Sequence, residues 1–118
     1  MNLQAAIITF SQSEKIKCGI IWISQTLEVL TGLSGIELQG AEKIIKAMIG
    51  MIAHEINIAR NLTKDATWDD VEKHVDMAQV MVNSHVAHEA GFHLTKALTQ
   101  VTSMGHRSLS VLKDEGML

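Results

Sequence analysis

The chain contains no proline and no tyrosine, and aromatic residues make up only 3% of its 118 positions. A core with so few rings must be assembled from Ile, Leu, Val, Met and Ala, side chains that fill helix seams. No stretch alternates apolar and polar residues in the Val/Thr/Tyr manner of a half-buried strand, and the eight glycines are scattered. Strands are thereby excluded as the main element. The single cysteine, Cys18, rules out an internal disulfide, and its apolar surroundings (residues 18–23) point to a buried thiol acting as a small hydrophobe. Basic residues form no stripe, and ten Lys and Arg against 13 Asp and Glu leave a formal charge of −3. That balance lacks the electrostatic footprint of a nucleic-acid-binding surface. No run of about 18 apolar residues is present, which excludes a membrane span, and the first ten residues carry no positively charged leader pattern. A cytoplasmic protein is expected.

What remains is helical periodicity. Ile16, Ile20, Ile23, Leu27 and Leu30 mark one face of a helix that Ser11 and Glu14 are spaced to start and Gly32 to end in a left-handed cap. Residues 2–10 stay unassigned. Ser34 and Glu37 have capping-box spacing, and Leu33 and Leu38 have that of a hydrophobic staple. A second helix therefore begins there. Its apolar face carries Ile45, Met48, Ile52, Ile56 and Ala59, widened by Ile44, Ile49 and Met51, with Glu55 at the margin and His54 turned to solvent. After a polar connection at 61–66, Thr67 is placed to cap a third helix whose first turn holds Asp69, Asp70 and Glu72, favoured by the helix dipole. Only Gly91 interrupts the pattern before Ser103, so one long helix is expected, with a break at Gly91 as the alternative. A short last helix follows Gly105.

These elements predict an all-α fold: an antiparallel helical bundle of three long helices plus a short C-terminal helix, forming one domain over residues 1–118. Three unequal helices with wide apolar faces leave surface uncovered, so completion by dimerisation is expected, the long helices pairing across a two-fold axis. A partner protein's helix could use the same surface. The methionines at 48, 51, 77, 81 and 104 are assigned to the core, and Trp22 and Trp68 to helix anchoring.

One conflict stands out. On a continuous third helix, the stripe Val71, Val75, Ala78, Val82 runs on through His85, Glu89 and His93 at spacings of four. Polar groups on a core-facing stripe must be satisfied, because leaving one unpaired costs roughly 1–3 kcal/mol. Facing helices in bundles build metal sites from such residues, and Glu55 could add a fourth ligand for a divalent transition metal. The His-x3-Glu step resembles that of hemerythrin-like bundles, although the remaining histidines are not paired at that family's spacings and the repeated Glu-x-x-His of ferritin-like di-iron proteins is missing. The preferred reading of His85, Glu89, His93 and Glu55 is a hydrogen-bonded polar layer that fixes register. Separately, His54-Glu55 resembles the phospho-accepting H box of histidine kinases, which implies phosphotransfer at an exposed histidine. The following proline of that box is absent. No Ser/His/Asp or Cys/His set can be assembled, and nothing requires an enzyme. The function expected is therefore a small intracellular, self-associating interaction or scaffold module, with metal or small-ligand binding and His54 phosphotransfer as the alternatives.

Overall fold

Asn2 starts the first helix, its side-chain oxygen accepting the Ala5 N–H at 2.7 Å. In the computed structural model, which describes residues 1–118, α1 therefore runs Leu3–Val29 and passes through Ser11 without interruption. The expected start at Ser11 is corrected for a physical reason. Ala6, Thr9, Ser13, Ile16 and Ile20 form one buried stripe, and two small hydroxyl residues within it disguise its continuity. A 3₁₀ turn, Leu30–Gly32, ends α1, and Gly32 does not take the left-handed conformation expected of it; Gly35 does, at φ 60°.

Ser34 is the N-cap of α2 (Gly35–Thr63), in extended backbone, but its side chain makes no capping bond. Leu33 and Leu38 both pack on the core. At its far end, Lys64 adopts φ 57° and its N–H returns to the Arg60 carbonyl at 2.8 Å, a single-bond left-handed cap. The N-cap of α3 (Thr67–Asn83) is Ala66, not Thr67, and makes no side-chain capping bond; just before it, Asp65 Oδ1 accepts the Thr67 N–H at 2.9 Å. Arg60 reaches across the connection to Asp69 at 3.1 Å and Glu72 at 2.9 Å.

The expected long helix from Thr67 to Ser103 is two helices, and the break is at neither Gly91 nor Gly105. Val86 N–H donates to the Met81 carbonyl at 3.0 Å and His85 N–H to Val82 at 3.1 Å, with His85 at φ 63°. This is the paired-bond terminus normally built on glycine, here with histidine in the left-handed position. α4 (Ala87–Asp114) then runs through Gly91 and Gly105 to the C-terminal end, so there is no separate last helix.

Four helices and no strand result. Each helix packs on its two neighbours in the order α1, α2, α3, α4 and back to α1. The short connections alternate their direction. The body measures 54 × 22 × 18 Å. Ile16, Ile20 and Ile23 meet Ile45, Ile49 and Ile56, Val71, Val75 and Val82, and Leu94, Val101 and Met104 in one core. Each such side chain contributes about 1.5–3 kcal/mol on burial. Gly19 allows α1 and α2 to approach closely, since a Cβ there would fall 2.2 Å from Ile52 Cδ1. On the opposite seam a Cβ at Gly105 would stand 3.4 Å from that of Ser13. No helix is long and apolar enough to cross a membrane.

Candidate functional site

The helix break redistributes the polar residues that sequence phase aligns. His85 leaves the stripe of Val71 to Val82 because it sits in the turn between α3 and α4, and its side chain is 74% exposed. Glu89 lies exposed in the first turn of α4, where it faces that helix's positive end. His93 is half-buried one turn further along, with its ring edge-on to Phe92 at 5.5 Å between centroids. Glu55 is elsewhere: thirteen residues along α2 from the level of His85, or about 20 Å at the helical rise. The four residues do not converge, and no group of three His, Cys, Asp or Glu side chains is placed to hold a metal ion.

Glu55 has partners of its own. Gln12 Nε2 donates to its carboxylate at 3.0 Å, and Lys15 Nζ lies 3.4 Å away. The Gln12 hydrogen bond, followed by the Lys15 charge, holds this carboxyl below its ordinary value of 4.5 against the opposing effect of burial. His54, at the preceding position, is exposed.

A different carboxylate carries the geometry at the other end of the bundle. Glu42 is only 5% exposed, although it projects from α2 in phase with Ile45, Ile49, Ile52 and Ile56. Its nearest ionisable neighbour is His85, whose Nδ1 stands 3.5 Å from Oε1. Both residues wall an open pocket of about 480 Å³ between the end of α1, the start of α2 and the start of α4. Glu28, Thr31, His88 and Thr95 add polar groups to it, while Leu27, Leu30 and Leu38 form its apolar part. Sequence reasoning singled out His85 but passed over Glu42. The signal was available, since Glu42 interrupts the stripe of α2 as plainly as His85 interrupts that of α3.

The second surface feature is apolar. Trp22 is 64% exposed and Met51 67%, so these two residues, together with Ile44 and Val29, point away from the core. Trp22, Met48 and Met51 surround a hollow of about 220 Å³ whose floor is Gly19, Ile23 and Ile52, with Lys15 and Glu55 at one edge. The assignments of Met51 and Met77 to the core, of Trp22 to helix anchoring and of Cys18 to the interior are thereby corrected, since all four are exposed. Trp68, by contrast, is fully buried, as its anchoring role requires. The flank beyond the Ile45 to Ile56 stripe widens the apolar face of α2 past what its two neighbouring helices cover.

No family model, curated protein or solved structure matches this chain.

Proposed function

We propose that this chain is a small helical interaction module that self-associates through the outer face of α1 and α2. The observation that carries the reading is Trp22, exposed beside the hollow over Gly19. The hollow floored by Gly19, Ile23 and Ile52 lies beside the raised tryptophan ring, so a single patch holds both a projection and a notch. Under a two-fold axis the projection of one copy can enter the notch of the other, as an isologous interface requires.

Trp22, Met51, Ile44 and Val29 leave on the order of 500 Å² of apolar surface in water, within the range at which a patch marks an interaction site. Two such patches bury on the order of 1,000 Å², the lower bound for a specific interface, so the dimer is weak and reversible. Lys15 and Glu55 at the edge offer both signs of charge to a second copy. The pairing surface differs from the one expected of the third helix, because the stripes of α3 and α4 face the core of their own chain.

Sedimentation velocity over a range of protein concentrations tests this. The expected result is a monomer–dimer equilibrium that Trp22→Ser abolishes while the thermal midpoint of the dilute protein is unchanged. A monomer at all concentrations up to the order of 1 mM removes the proposal.

A further inference from the structure

The pocket at the α1/α4 end sets the acceptors of Glu28, Thr31, Glu42 and Thr95 beside the donors of Ser24, His85 and His88, and its buried carboxylate is the group left without a close partner. Thr31 gives its hydroxyl proton to the Glu28 carbonyl at 2.8 Å, and Thr95 gives its own to the Gly91 carbonyl at 2.9 Å. What these two side chains turn outward is therefore lone pairs. Glu28 and Glu42 add carboxylates. Glu42 is the unusual one: nine-tenths buried, lining the pocket, with no protein donor in hydrogen-bond range other than the His85 ring at 3.5 Å. A carboxylate so far removed from water is strongly stabilised by any donor or positive charge that reaches it.

The backbone favours the same sign. α1 ends at this pocket and carries no basic residue in its last turn, so its negative dipole end is uncompensated. The positive starts of α2 and α4 are met by Glu37 and Glu89. A bare divalent ion does not suit the place, because no three ligating side chains converge. The volume, about 480 Å³, is that of a small organic molecule's site, and Leu30 and Leu38 offer an aliphatic stem something to pack on.

We infer that the pocket walled by Glu42, Glu28, His85 and Thr95 binds a small organic cation bearing a primary ammonium or guanidinium group, with Glu42 as its anionic anchor. The cation's N–H donors meet the carboxylates and hydroxyl lone pairs, and its stem lies over the leucines. This site is separate from the α1/α2 face and does not depend on self-association.

Amide NMR titration with agmatine, which carries one group of each kind, tests the inference, with 1,4-butanediol as the uncharged control. Saturable shifts are expected at Glu42, His85, His88 and Gly91 with agmatine alone. Glu42→Gln, which keeps the shape of the side chain, weakens binding by roughly tenfold or more. Gly91→Leu is the second variant: a side chain there enters open space in the pocket, so it blocks binding without altering charge or the core. The inference is overturned by absence of saturable shifts up to the order of 10 mM agmatine, by equal binding of the diol, or by a folded Gly91→Leu protein that binds as the parent does.

Discussion

Gln12 of α1 grips Glu55 of α2 twice, donating from one side-chain nitrogen to the carboxylate at 3.0 Å and to the backbone carbonyl at 3.1 Å. Because the carboxyl is held below 4.5 in the folded protein, its ionised form contributes stability that is fully present above that value and is lost as pH falls through the folded pKa. Gln12→Leu is expected to lower stability at neutral pH by about 1 kcal/mol, and the gap from the parent to narrow below pH 4.5. Urea denaturation across pH measures it. A gap of constant size would show that the carboxylate bond contributes nothing.

Gly19 offers a test of helix spacing. Alanine is the better helix former by about 1 kcal/mol. Its Cβ would meet Ile52 Cδ1 at 2.2 Å, however, and force that side chain out of its rotamer. Gly19→Ala is expected to destabilise by about 1 kcal/mol despite the gain in propensity. Ile52→Val removes the offending methyl, so the double variant should be more stable than the two single effects predict. Simple additivity would mean that α1 and α2 move apart at no cost.

Lys64 pays the left-handed penalty at the end of α2 without glycine's exemption. Lys64→Gly should stabilise by roughly 0.5–1 kcal/mol, net of glycine's greater freedom in the unfolded chain. Lys64→Ala should not. Chemical denaturation of the pair separates the backbone effect from loss of the lysine charge, and equal results for the two variants would contradict it.

The two tryptophans should behave oppositely. Trp68 is fully buried, and Trp68→Ala is expected to cost about 3–5 kcal/mol. Its indole N–H has no partner, so Trp68→Phe removes an unsatisfied donor along with apolar area and should cost far less. Trp22→Ala should lie within about 0.5 kcal/mol of the parent in the dilute protein. Comparison of unfolding midpoints decides, and a large effect at Trp22 would place it in the core.

The stripes of α2, of α3 and of α1 from Ile16 onward were legible in the sequence, because burial on one face leaves its period in the order of residues; that of α4, through Ala90, Leu94, Ala97 and Val101, was not read. Ser34 was legible as the start of α2 for its position, though the capping bond that its type implies is not made. The break at His85 was not, since histidine is no general helix breaker and the left-handed position that the paired bonds to Val82 and Met81 require is normally filled by glycine. That one turn dismantled the alignment of His85, Glu89 and His93 with the core stripe. Exposure of Trp22 and Cys18 was hidden for another reason: phase along one helix says which residues share a face, not which neighbour covers its flank. Glu42 was within reach, standing three residues before Ile45 on the stripe that defines α2.

The seam between Ser13 and Gly105 also bears on how the molecule assembles. The other three seams join helices adjacent in the chain and form across connections of a few residues, whereas α1 and α4 meet only after nearly the entire sequence has been brought round. Rates follow the sequence separation of the contacts a transition state must make. With the neighbouring hairpins forming first, closure of that seam is the late event. Substitutions that crowd Ser13 or Gly105 should therefore leave the folding limb of a chevron nearly unmoved and raise the rates along the unfolding limb.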